Sequence, residues 1–247
     1  MPLLLWIVVF SLLGSVGGAC GAALFLLFPE GVRKTLVPCL VSYATGTLLA
    51  AAFMGMIPNA LRQAEALPIL SAVLAGMLLF FLLEKLVIWR HCHEGKCEVH
   101  GTAGPLILFG DAFHNFVDGV VIAAAFLMSI PLGIAASLAV IAHEVPQEAG
   151  DFGILLDSGY SRPKAFAYNL LSSITTLPGA LLAYFYLRTT EVAVPYILAF
   201  SAASFIYIAT ADLIPSLHRK VGLGVIFRQL VLVLAGVGTI VFIRMHK

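Results

Sequence analysis

The stretch "PLILFGDAFHNFVDGVVIAAAFLMSIPLGIAASLAVIAHEVPQEAGDFGILL", residues 105–156, consists of two apolar runs joined at Ser129, Ile130 and Pro131. Each run is long enough to cross a bilayer core, which takes about 20 apolar residues as a helix. A turn this short makes the two helices antiparallel neighbours. Yet each run carries groups that lipid rejects: Asp111, His114, Asn115 and Asp118 in the first, His143, Glu144, Gln147, Glu148 and Asp151 in the second. Their spacing is helical. His114 and Asp118 are four apart, as are His143 and Gln147, and Glu144 and Glu148, so each pair shares a helix face. Counted from the turn at about 1.5 Å per residue, Asp118 and His143 share one depth, roughly 19 Å away, and His114 and Gln147 another, roughly 25 Å away. The polar groups are expected to meet in one cluster between the two helices.

The rest of the chain agrees with a membrane reading. Of 247 residues, 61% are hydrophobic and only 11% charged, with a mean hydropathy of +1.02; soluble domains are about one-quarter charged. Eight apolar runs occur, at about 3–28, 37–57, 67–89, 105–129, 131–156, 164–187, 193–215 and 222–243. They use nearly the whole chain, so the expected fold is an all-α polytopic bundle of eight helices, a single transmembrane domain over residues 1–247. The first run lacks a basic leader and exceeds the roughly 7–15 apolar residues of a signal peptide, so it reads as a retained span. With the N-terminus outside, Arg33, Lys34, Lys85, Arg90, Lys96, Arg162, Lys164, Arg219, Lys220 and Arg228 fall on the cytoplasmic side. Only Arg62, Arg188, Arg244 and Lys247 then lie outside, and this bias favours both termini outside. The short loops and small size suggest a bacterial plasma membrane. The net charge of +1 offers nothing to a nucleic acid. Cys20, Cys39, Cys92 and Cys97 form no recognisable disulfide framework.

A weak echo links the second and seventh runs. "YATGTLLAAAFMGMIPN" at 43–59 aligns without gaps on "FSAASFIYIATADLIPS" at 200–216, where Ala52, Ile57 and Pro58 recur as Ala209, Ile214 and Pro215. The shared Ile-Pro ending suggests a 3+2+3 arrangement, with helices 1–3 and 6–8 as inverted repeats around helices 4 and 5. Chance similarity between two Ala-rich helices is the alternative.

A charged side chain at mid-bilayer costs about 2.5–3.5 kcal/mol on insertion scales. No Lys or Arg lies between residues 97 and 161, which excludes a salt bridge within these two helices and leaves protons or a metal cation as compensation. Imidazoles and carboxylates at helical spacing suit a borderline divalent ion such as Zn²⁺ or Fe²⁺. Pro146 should free the carbonyl of Ala142 and kink its helix. Gly119 and Gly150 would allow close helix approach or a water-lined path. Asp111, Asp151 and Asp212, the last beside Ile214-Pro215, are candidates for an entrance or gate.

Two other functions use the same residues. "HEVPQ" begins like the His-Glu-x-x-His motif of an intramembrane zinc metalloprotease, but Gln147 stands where the second histidine should be. A metal-independent proton or sodium transporter could use Asp118, Glu144 and Glu148, although two histidines at the site argue against it.

The pair "HNFVDG" at 114–119 and "HEVPQEAGD" at 143–151, with the helix count and "NLLSSITTLPGALLAY" in the sixth run, resembles the ZIP family of divalent-metal transporters. The match is to the branch with His-Asn-x-x-Asp-Gly in helix 4 and His-Glu-x-Pro-x-Glu-x-Gly-Asp in helix 5. The resemblance implies a binuclear transport site: His114, Asp118 and His143 for one metal, Asn115, Asp118 and Glu144 for the other, with Gln147 near both and Glu148 in the same set. Relatives commonly place His or Glu at the position of Gln147, and some supply a helix-six Glu where only Thr176 or Ser173 is found. Those departures leave one or two metals per site open. The loop "HCHEGKCEVH" at 91–100, within a cytoplasmic connection over 90–104, holds His91, Cys92, His93, Cys97 and His100, and relatives often carry a His-rich loop there. The expected function is uptake of a divalent transition metal into the cytoplasm by alternating access, Zn²⁺ foremost, with Fe²⁺, Mn²⁺ or Cd²⁺ as further substrates, and no enzymatic activity. The expected partners are the metal ion and the lipid bilayer, with a homodimer as one assembly open to the chain and no nucleic acid.

Overall fold

The computed structural model describes residues 2–91, 103–219 and 222–245, so the His/Cys loop beyond His91 lies outside the described residues. Eight helices long and apolar enough to cross a membrane follow in order: α1 (Leu3–Phe25), α2 (Glu30–Leu61), α3 (Ala66–His91), α4 (Ala103–Met128), α5 (Ile130–Asp157), α6 (Arg162–Thr189), α7 (Val194–Leu217) and α8 (Leu223–Met245). No strand occurs among the described residues. Proline starts several of them: Pro29 precedes α2, and Pro131, Pro163 and Pro195 sit in the first turns of α5, α6 and α7, where a missing N–H leaves no bond unmade. Ser129 caps α5, its Oγ accepting from the Leu132 amide at 3.3 Å. Gly159, at φ 85°, makes the turn into α6 in a conformation that other residues avoid.

Proline also explains where helices deviate. The Pro178 ring cannot sit against the carbonyl of Ile174, and α6 is interrupted at Ile174 and Thr175. Pro58 and Pro215 stand in the same relation to Met54 and Ala211, and each follows a six-residue π-helical stretch, Ala51–Met56 in α2 and Ile208–Leu213 in α7. Pro146, by contrast, leaves α5 continuous from Ile130 to Asp157. The second helix exceeds the 37–57 apolar run because hydropathy marks the lipid-embedded part. The α-helix itself begins at Glu30, whose carboxylate pairs with Lys34 one turn on at 2.5 Å.

Burial orders the bundle. α4 is central: Val121, Ile122, Ala123, Ala124 and Ala125 all have no exposure, so this stretch is buried on every side. α3 and α8 are peripheral, with only 11% of their membrane windows buried against 61% for α4. Among the described residues, two helix pairs approach backbone to backbone through glycine. A Cβ on Gly119 of α4 would fall on the Thr176 carbonyl oxygen of α6, and one on Gly179 of α6 on the Phe116 carbonyl oxygen of α4. A Cβ on Gly46 of α2 would meet the Val233 carbonyl of α8, and one on Gly236 of α8 the Tyr43 carbonyl of α2, where Tyr43 Oη also lies 3.1 Å from Thr239 Oγ1. Small residues permit such contact in lipid, where tight packing replaces the hydrophobic drive between helices. Gly150 differs from expectation: a Cβ there would meet nothing within 4 Å, so it mediates no close approach. Gly119→Ala must push α4 from α6 and is expected to destabilise the protein by about 1–3 kcal/mol, read as lower thermal stability in detergent. Gly150→Ala is expected to leave it unchanged.

Candidate metal centre

α4 and α5 bring four of the expected side chains together: His114, Asp118, His143 and Glu144, with one ligand atom from each lying within 4.8 Å of all the others. His143 Nε2 is 3.1 Å from His114 Nε2, 3.2 Å from Asp118 Oδ2 and 3.4 Å from Glu144 Oε1. His114 Nε2 is 3.6 Å from Asp118 Oδ2 and 3.5 Å from Glu144 Oε1. Four ligands held about 2.0–2.1 Å from a tetrahedral zinc ion stand roughly 3.3 Å apart. The five distances bracket that value, so the four atoms occupy the corners of a polyhedron of zinc-site size.

The protonation pattern follows from the neighbours. His143 Nδ1 lies 2.9 Å from the carbonyl of Ala139, one turn earlier, so Nδ1–H donates there and the Nε2 lone pair faces the cluster. Both carboxylate oxygens of Asp118 and both of Glu144 are buried without a hydrogen-bond partner. Four such oxygens beside two imidazoles form a buried negative site without a bound donor, and an uncompensated buried charge is strongly destabilising. A divalent cation would supply the compensation, and these four side chains are the ones that would hold it. Asp118 and Glu144 have no exposure and His143 has 1%, whereas the His114 side chain keeps 19% and is the member reached from outside the cluster.

A second polar layer lies beside the first. Asn115 donates from Nδ2 to Asp111 Oδ1 at 2.9 Å, and its Oδ1 accepts from Thr176 Oγ1 of α6 at 2.9 Å. Gln147 Nε2 donates to the same Asp111 oxygen at 3.4 Å. Glu148 accepts from the Ser173 hydroxyl, and its backbone carbonyl accepts from Asn169 Nδ2 at 3.2 Å. Asn115, Gln147 and Glu148 are thus engaged in bonds among α4, α5 and α6, and Glu148 stands outside the four-residue group. Asp151 is half-buried on α5 and Asp212 exposed on the π-helical stretch of α7, both apart from the group. Of the loop candidates, His91 ends α3, and Cys92, His93, Cys97 and His100 lie outside the described residues. Asn169 escaped the sequence reading. Its signal was the row Asn169, Ser173 and Thr176 at helical spacing in an apolar run.

Fold and site together define an integral, multi-pass, all-α membrane protein with a buried His/Asp/Glu group suited to a divalent ion. The family model described as ZIP Zinc transporter matches residues 89–244, well over half of the chain. The chain belongs to the ZIP zinc transporter family. It is similar to "Zinc transporter foi" of Drosophila melanogaster, 38% identical over 145 residues covering 58% of this chain and 20% of that protein. It is also similar to "Zinc transporter ZIP13" of Pongo abelii, 33% identical over 218 residues covering 80% of this chain and 64% of that protein. With "Zinc transporter ZIP4" of Homo sapiens the identity is 41% over 114 residues, 46% of this chain and 18% of that protein. The matches thus span about a fifth to two-thirds of these relatives.

Proposed function

We propose that the protein carries a divalent transition metal, Zn²⁺ foremost, from outside the cell to the cytoplasm by alternating access. The observation that carries this reading is the set of five ligand-to-ligand distances from 3.1 to 3.6 Å among His114, Asp118, His143 and Glu144, on two membrane-spanning helices. Membership of a zinc transporter family supports it. Imidazole with carboxylate at tetrahedral spacing favours zinc over the oxygen-preferring Mn²⁺, while Fe²⁺ and Cd²⁺ remain secondary substrates. Both termini face outside in this reading, and the His/Cys loop meets released metal in the cytoplasm.

One metal occupies the site at a time. The amide of Asn115 is committed on both sides, to Asp111 and Thr176, and Gln147 donates to Asp111, so the neutral groups of a second metal position are already bonded. Calorimetry on the purified protein is expected to give one tight zinc per chain, and the double variant Gln147→Glu with Thr176→Glu two. A second tight zinc in the parent protein would overturn the single-metal reading.

The 3+2+3 arrangement belongs to the same proposal. The alignment of 43–59 on 200–216 places Ala51 on Ile208 and Met56 on Leu213, and those are the bounds of the two π-helical stretches. Chance resemblance between Ala-rich helices gives no reason for the two stretches to coincide. The test of function is zinc influx into proteoliposomes holding the purified protein. Saturable influx is expected; no influx from correctly folded, zinc-binding protein would sink the transport reading.

A further inference from the structure

We infer that the two π-helical stretches are a reciprocal pair of gates, and that the structure holds the α2 gate shut and the α7 gate open; this deepens the transport reading and rests on it. The stretches lie toward opposite ends of the bundle, because α2 and α7 cross antiparallel. Ala51–Met56 packs on the Val194–Tyr207 segment of α7, and Ile208–Leu213 packs on the Glu30–Ala50 segment of α2.

Burial follows the same order through the first four aligned positions. Ala51 and Ala52 are buried and Phe53 and Met54 exposed; Ile208 and Ala209 are buried and Thr210 and Ala211 exposed. The helical phase is therefore the same in both. The next two positions diverge: Gly55 and Met56 are buried, whereas their counterparts Asp212 and Leu213 are exposed and half-buried. Met56 has no exposure at all. Asp212 stands five residues before the end of α7, uncovered where its counterpart Gly55 is covered.

The shut gate has named parts. An ideal Cβ on Gly55 would lie 3.0 Å from Leu132 Cδ1 of α5 and 3.4 Å from Arg244 Nη1 of α8. That Nη1 is buried and has no hydrogen-bond partner among the described residues. A guanidinium at this point repels an approaching cation, and the aliphatic contact excludes water. The opposite end offers Asp212, a group of the attracting sign. π-Helical turns hold a surplus residue and looser bonding, so α2 and α7 can change register there without unfolding. In the other state Asp212 and Leu213 are covered and Gly55 and Met56 uncovered.

Two measurements test this. First, Met56→Cys and Leu213→Cys are labelled separately with a thiol reagent that cannot cross the membrane, applied to each face. Leu213→Cys is expected to react at least tenfold faster in the zinc-free protein; equal rates, or the reverse order, would overturn the assignment of states. Second, Gly55→Cys with Leu132→Cys is oxidised to a disulfide confirmed by mass spectrometry. Zinc influx should fall at least tenfold on oxidation and return on reduction, while zinc binding persists. Unchanged influx by the crosslinked protein, or no crosslink between thiols that each react singly, would overturn the gate. If the reduced variant and the parent both fail to move zinc, the transport reading fails, and the labelling ratio still decides the gate.

Discussion

Zinc influx is expected to disappear in both His143→Ala and His114→Ala, with the zinc affinity of each reduced by more than about 100-fold. Removing a partner that merely orients a metal ligand costs about 10–100-fold in affinity, and losing the ligand itself exceeds that. His143 should be the more sensitive. Its Nε2 lies 3.1–3.4 Å from a ligand atom of each of the other three members, and its ring is fixed from behind by the Ala139 carbonyl at 2.9 Å. Alanine also leaves a cavity there, so His143→Gln, which keeps most of the volume, is the better control. Asparagine at Asp118 removes a charge with almost no change of shape and should likewise abolish influx. Isothermal calorimetry and liposome flux on the same preparations check all four variants. Retention of both tight binding and influx in His143→Gln would remove this histidine from the site.

The second large effect concerns stability and has an unusual sign. Zinc at about 100 times its dissociation constant should stabilise the protein by roughly 2.7 kcal/mol. For a chain of this size that corresponds to a rise in melting temperature of roughly 5–10 °C. Glu144→Gln should raise the stability of the zinc-free protein, because it removes one of two buried carboxylates whose four oxygens have no partner. The same change should abolish the rise produced by zinc. A ligand substitution that stabilises the empty protein while erasing its metal response fits a site whose electrostatics require a cation. A merely structural hydrogen-bond cluster would instead lose stability on substitution and show no zinc response in the parent. Thermal denaturation in detergent, with zinc or with chelator, separates the two.

Much of this site was legible in the sequence because helical geometry is local. Four-residue spacing put His114 over Asp118, and the short Ser129–Pro131 connection put α4 beside α5 at a shared depth. Missing positive charge between residues 97 and 161 narrows the compensation to protons or metal. The row Asn169, Ser173 and Thr176 marked a polar face of α6, but the partner of Asn169 was not legible, since it depends on where α6 passes α5. Gly119 and Gly150 looked alike for the same reason. Only the neighbours differ: Gly119 faces the Thr176 carbonyl, and Gly150 faces nothing.

The sequence by itself determined the membrane location, the eight helices and a set of seven candidate ligands on α4 and α5, because hydropathy and the 3.6-residue period act within single segments; the structure brought four of them together. It also held the Ile-Pro echo of α2 and α7. Only the tertiary structure decided which amides were already committed, since Asn115 finds Thr176 across a helix interface. It alone gave Gly55 and Asp212 different surroundings at equivalent positions. Related sequences in one chain can occupy unlike environments because burial is a property of what packs against a residue, and that is set by every other helix of the bundle at once.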